Sequence, residues 1–285
     1  MKFDLNAQKG QTRVDRARLY SQSEEQAQTQ SIFYHWEGSS YVCDILSSDP
    51  EIDEFSKRIS PNYVHLPEEK KITWHTYVFS MLHAFIMSFL SVYALTTDKQ
   101  LWTDPIWCNS PISRIICVFV VGYMIFDFYI MLKNYKQLWD WFFVFHHSDT
   151  IYAYLAVMSY GVLPFFAIYR LLAEISTPFV DLRWFIDTLG YPKTSLQNMV
   201  NGVLMTLSFL IVRILVMPHF WYIVYSVIGT EDFNRIGHIR LVLVLSCFIL
   251  DTINIFWFLK MCRGVKKVIT LKLDANKNEV AHKND

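Results

Sequence analysis

Apolar and polar positions along this chain are not interleaved as they are around a soluble core. The apolar residues gather instead into blocks of about 20 residues, the length at which a helix rising 1.5 Å per residue crosses roughly 30 Å of hydrocarbon. Six blocks can be drawn: Trp74–Thr96, Ile112–Leu132, Trp141–Tyr160, Leu163–Val180, Met199–Val227 and Ile239–Met261. Lipid offers the backbone no hydrogen-bond partners, so a spanning block is a helix unless it closes into a barrel. The pattern predicts an all-α membrane protein with about six transmembrane helices. Only Tyr160, Gly161 and Val162 separate the third and fourth blocks, and Pro164 follows, so a tight turn is expected there. The fifth block contains Pro218, where a bend is expected because proline lacks an N–H and clashes with the preceding turn.

The flanks read differently. Residues 1–62 are polar, rich in Gln, Ser and Glu, and are expected to form a disordered cytosolic tail. Within them SIFYHWEGSSYVCDIL is too short and too mixed to span. The opening MKFDLNAQKG carries charges where a secretory signal has its apolar stretch, so insertion is expected to begin at a later block acting as an uncleaved anchor. The membrane domain is expected over residues 66–268. Residues 269–285 read as a charged cytosolic tail, unstructured after Thr270. Six crossings place Lys57, Arg58, Lys70, Lys71, Lys133, Lys136, Arg183, Lys193 and the basic run from Lys260 to Lys272 on one side. The other side keeps Lys99, Arg114, Arg235 and Arg240. By the positive-inside rule the first side is cytosolic, and both termini lie there.

Composition adds few further clues. The formal net charge is zero, which gives no electrostatic reason for a nucleic-acid partner. The five cysteines form no CxxC pair, and of the nine histidines only His146 and His147 are clustered, without HxxxH or HxxHH spacing. Neither a metal site nor a resident cofactor is expected, and no P-loop, dinucleotide fingerprint or GxSxG elbow appears.

Ionisable residues inside the apolar blocks carry the candidate chemistry, because such groups are expensive in a bilayer and turn toward an interior where acids meet bases. They are His83, Asp127, His146, His147, Arg170, Glu174, Arg213 and Asp251, with Asn254 nearby. One reading makes them structural ion pairs between helices; the other makes them the lining of a polar cavity, which the set as a whole favours. His146 and His147 point about 100° apart on a helix, so they cannot share one task. Asp149, three residues after His146, is placed to orient it. A histidine there can serve as general base or nucleophile, or simply sit at the membrane interface. Arg170 and Glu174 lie one turn apart, either as a structural pair or with Arg170 holding an anionic head group.

The stretch HHSDTIYAYLAVMSYGVLPFFAIYRLLAEISTPFVDLRWFIDTLG, with SMLHAFIMS, GYMIFDFYIM, NGVLMTLSFLIVRI and YSVIGTE, resembles the TLC domain family over about residues 66–268. The resemblance implies a helical barrel around a central lipid-accessible cavity, an endoplasmic-reticulum-type membrane, and membrane lipids as partners. The family includes ceramide synthases, and His146 and His147 match the histidine pair that opens their motif. At the later HDxSD-like element this chain reads Ala173–Glu174–Ile175–Ser176–Thr177: Glu174 and Ser176 match, while Ala173 replaces the histidine and Thr177 the second aspartate. The resemblance therefore implies a lipid-binding protein of membrane homeostasis with a cavity that includes His83, Asp127, Arg170, Ser176, Arg213 and Asp251. An N-acyltransferase using His146, His147 and Glu174, with acyl-CoA as co-substrate, is the alternative and lacks one acid. A non-catalytic scaffold or sorting receptor is a third reading.

Overall fold

In the computed structural model, which describes residues 50–284, every regular element is a helix. The expectations for residues 1–49, including SIFYHWEGSSYVCDIL, lie outside the described residues. Apart from the short helices Gln100–Thr103, Tyr135–Leu138 and Glu231–Arg235, the elements are α1 (Pro50–Ile59), a 3-10 turn (Pro61–His65), α2 (Glu68–Thr97), α3 (Pro111–Lys133) and α4 (Trp141–Tyr160). They continue with α5 (Pro164–Arg170), a 3-10 segment (Leu171–Ser176), α6 (Thr177–Thr188), α7 (Leu196–Phe209), a π turn (Leu210–Ile214), α8 (Val216–Val227) and α9 (Ile239–Asn284).

Local sequence explains the boundaries. Ser110 caps α3 by accepting from the Ser113 N–H, and Pro111 follows at the first turn, where its missing N–H costs nothing. Asp140 caps α4 by accepting from the Phe142 N–H, and Gly161 closes it in the left-handed region at φ +63°. The tight turn expected after Tyr160 is thus present. It continues into Leu163, also left-handed at φ +61°, whose N–H reaches the Ile106 carbonyl at 2.6 Å.

Among the described residues four helical runs are long and apolar enough to cross a membrane: α2, α3, the α7–α8 run, and α9 as far as Lys272. The other two expected blocks are helical but differ from them. α4 spans 20 residues, yet His146, His147, Ser148 and Asp149 make its middle polar. The fourth block is not one regular helix, because α5 passes through the 3-10 segment into α6, which runs on to Thr188 rather than ending at Val180. In the fifth block the irregularity precedes Pro218. The Leu215 N–H bonds to the Leu210 carbonyl, one residue further back than in an α-helix. This π turn lets Pro218 fall in the first turn of a fresh helix, where proline is tolerated.

Both tails need correction. Residues 50–62, expected to be disordered, form α1 and the start of the following 3-10 turn. The stretch after Thr270 continues α9 to Asn284, and beyond Gly264 it contains neither Gly nor Pro to stop it.

α3 and α4 pack along each other, α2 lies against the Leu171–Ser176 segment and α6, and α7 contacts α6 and α9. Ile116, Val120, Phe165, Phe166, Ile168 and Phe220 are almost wholly buried in the main core. The outward faces are also apolar, with Phe89, Phe145 and Tyr222 each 70% exposed. Such surface is suited to lipid rather than water. In that medium helices cohere through close packing and interhelical hydrogen bonds, each worth about 0.6 kcal/mol on average and up to ~1.7 kcal/mol.

Candidate functional site

The two histidines of α4 have different environments, as their roughly 100° separation requires. His147 is buried and engaged at both nitrogens. Its Nδ1 lies 2.6 Å from the Phe143 carbonyl and its Nε2 lies 2.7 Å from Asp127 Oδ2 on α3. A carbonyl can only accept, so Nδ1 carries a proton. The contact with Asp127 then requires a second proton, shared between imidazole and carboxylate. His147 therefore ties α4 to α3 and has no nitrogen to offer a ligand. His146 is half-buried, stacks on Phe142 at 6.3 Å and meets His147 edge-on at 5.7 Å. Among the described residues its ring nitrogens have no hydrogen-bond partner. Asp149 does not orient it: the Ser246 hydroxyl on α9 donates to Asp149 at 2.5 Å.

Arg170 and Glu174 do not pair. Between them lies the 3-10 segment, with three residues per turn, so a step of four residues turns the side chain about 120° away instead of about 40° as in an α-helix. Arg170 reaches instead to α9, where Nη1 meets Asp251 Oδ1 at 2.6 Å and Nη2 donates to the Cys247 carbonyl at 3.2 Å. The guanidinium also lies 4.7 Å from the Phe220 ring, and the second Asp251 oxygen accepts from Trp221 Nε1 at 2.7 Å. Glu174 is half-buried, within electrostatic range of His83, Asp181 and Arg213, and makes no ion pair among the described residues.

Arg213 sits on the π turn. Its Nε donates to Ser176 Oγ at 2.8 Å, Nη2 to Thr177 Oγ1 at 3.1 Å and Nη1 to Asn254 Oδ1 at 3.4 Å, and its guanidinium lies 5.0 Å from the Phe209 ring. All these partners are neutral. Thr177, which the resemblance sets against the second motif acid, is therefore in use as an arginine acceptor. The His83 ring stacks on Tyr123 at 3.9 Å, and its buried Nε2 lacks a hydrogen-bond partner among the described residues.

The structure thus brings together Asp127 with His147, Arg170 with Asp251, and Ser176 with Arg213. His146, His83 and Glu174 are left without direct polar partners among the described residues. The sequence reading missed Asp181, Tyr123 and Trp221. Asp181 is buried on α6, one of its oxygens is unpartnered, and Ser80 lies beside both it and Tyr123. The available signal was Pro178, which opens a helix that carries Asp181 one turn beyond Thr177 on the same face. Among the described residues no group of three or more His, Cys, Asp or Glu side chains is arranged to hold a metal ion. Outside the spans, burial pushes the Cys108 thiol up to about 11, so it stays protonated.

Comparison with known proteins places this arrangement. The model of the TLC domain family matches residues 73–263. TLC domain-containing protein 4 of Homo sapiens is 40% identical over 218 residues, covering 76% of this chain and 82% of that protein. TLC domain-containing protein 4-B of Danio rerio is 38% identical over 223 residues, covering 78% and 84%. A relative from Dictyostelium discoideum, TLC domain-containing protein 4 A, is 27% identical over 210 residues, covering 72% and 79%.

Proposed function

The chain belongs to the TLC domain family, and from that premise we propose that it binds and handles lipids in the membrane and contributes to membrane lipid homeostasis. The observation that carries the reading is the contrast within the histidine pair. His147 is consumed by Asp127 and Phe143, while His146 stands beside it with no hydrogen-bond partner at its nitrogens among the described residues. An ionisable group in a bilayer is costly to keep unpaired, so one that persists there marks a candidate ligand site. Arg213 supports the reading, since its guanidinium is held by neutral groups and makes no direct ion pair among the described residues. We place the chain in endoplasmic-reticulum-type membranes with six crossings and both termini cytosolic, following the family resemblance and the basic residues on one side.

The free imidazole also favours a second reading, N-acyl transfer from acyl-CoA. His146 would accept a proton from the attacking amine while the amide bond forms and the thiol of coenzyme A leaves.

The test compares lipid profiles of cells expressing wild type, His146→Ala or His147→Ala at equal membrane levels. A profile shifted by wild type and not by His146→Ala supports lipid handling at this imidazole. Equal shifts from wild type and His146→Ala would overturn it and favour a scaffold. Turnover of acyl-CoA with a sphingoid base by the purified protein would select the second reading.

A further inference from the structure

The segment from Pro50 to His65 carries an arrangement that lipid handling in the interior does not use. On α1 the apolar residues Ile52, Phe55 and Ile59 share one stripe, because steps of three and four residues return to the same helix face. The outer part of that stripe points away from the protein: Phe55 is 51% exposed, Ile59 60%, and Val64 in the next turn 51%. The buried positions are Ser56, Ser60 and Tyr63. A helix docked on a protein in water shows the reverse, apolar side chains inward and small polar ones outward. Outward Phe and Ile with inward Ser suit a helix whose outer medium is the boundary of a bilayer.

Its position agrees. The Tyr63 hydroxyl donates to Asp53 on α1 and lies 2.9 Å from His75 Nε2 on α2, and the Tyr63 ring packs at 5.5 Å from Trp74. Trp74, Tyr77, Trp184 and Phe185 continue this aromatic layer. Trp and Tyr collect at membrane–water boundaries, and α2 turns apolar just after Glu68–Lys71. α1 is therefore held where α2 enters the bilayer. Both basic residues of α1 are paired within it, Lys57 with Asp53 at 3.0 Å and Arg58 with Glu54 at 3.4 Å, and on α2 Lys71 pairs with Glu68 at 2.7 Å.

We propose that α1 and the turn after it form an interfacial anchor that lays Phe55, Ile59 and Val64 into the head-group–acyl boundary, with the lipid surface itself as partner. Because Lys57 and Arg58 are each paired with an acid of α1 and no basic residue of the helix is left over, attachment depends on apolar area and not on the charge of the lipid.

The test uses the full chain with its native cysteines replaced, reconstituted into phosphatidylcholine vesicles with and without phosphatidylserine. A nitroxide is attached in turn at Glu54→Cys, Phe55→Cys, Arg58→Cys and Ile59→Cys, with Leu245→Cys on α9 as the lipid-facing reference. All five positions are exposed, so the labels leave the core intact. Collision with oxygen, which concentrates among acyl chains, is compared with collision with a water-soluble nickel complex. The expected oxygen-to-nickel ratio at 55 and 59 is several-fold above that at 54 and 58, approaches the reference, and does not change with phosphatidylserine. Nickel access at 55 and 59 equal to that at 54 and 58 overturns the proposal. So does exclusion of both reagents, which would mean that protein covers the stripe. A ratio that rises only with phosphatidylserine overturns the claim that attachment is independent of lipid charge.

Discussion

Arg170 and Asp251 meet at 2.6 Å across α5 and α9, 81 positions apart in the sequence, and Trp221 donates to the other oxygen of the same carboxylate. One buried acid thus joins three helices. Removing one partner of a buried pair leaves the other charge uncompensated and costs about 3–5 kcal/mol, while replacing both by apolar residues of similar volume is often neutral. Asp251→Ala should therefore sharply lower thermal stability in detergent, and Arg170→Met with Asp251→Leu should recover most of the loss. Equal stability of Asp251→Ala and wild type would mean that the contact holds nothing together.

The Asp127–His147 contact makes a parallel prediction. Asp127→Ala strips His147 Nε2 of its partner and should cost about 1–3 kcal/mol, the penalty for a buried polar group left unsatisfied. His147→Ala should cost a similar amount, and the double variant should lose much less than the sum. Additive losses in that double-mutant cycle would show that the two side chains act independently.

Arg213 should separate stability from function. Its partners are hydroxyls and an amide, and Ser176 already bonds to the Ala173 carbonyl at 2.9 Å. Arg213→Met should lower stability by only about 1 kcal/mol and yet abolish the wild-type change in cellular lipid profile. Arg213→Lys keeps the charge without the planar fork and should restore that change incompletely. An unaltered lipid effect in Arg213→Met would remove this residue from the site.

Attachment of α1 to α2 should depend on pH through Asp53. The Tyr63 hydroxyl, then Lys57, holds the Asp53 carboxyl below the usual carboxylate range, and the Tyr63 phenol is raised by burial and by Asp53. A depressed carboxyl stabilises the fold above its unfolded value of about 3.9, and that contribution fades as pH falls through the lower folded value. Hydrogen exchange of residues 50–65 should quicken as pH falls below about 4, beyond the intrinsic pH effect, and Asp53→Asn should exchange fast at neutral pH as well. Protection in Asp53→Asn equal to that in wild type would refute the link.

Much of this molecule could be read without coordinates. The blocks of apolar residues announced membrane helices because hydrocarbon accepts a backbone only when its hydrogen bonds are internally satisfied. The histidine pair, Arg170, Arg213 and Asp251 stood out because charge in such blocks is costly. The turn at Gly161 was equally visible, since few other residues take a left-handed φ without strain. Composition misled at both ends, where polar residues hid α1 and the C-terminal half of α9.

By itself the sequence determined which residues are polar within the membrane and that the apolar blocks are helical, because both follow from local composition. It could not determine which polar residues meet. Glu174 parts from Arg170 only because the chain between them tightens to three residues per turn. Arg213 faces Ser176 and Thr177 from a π turn placed just before Pro218. A single residue of helical winding rotates a side chain by about 100°, so pairing across helices is settled by how each helix is wound and packed, and these are properties of the tertiary structure.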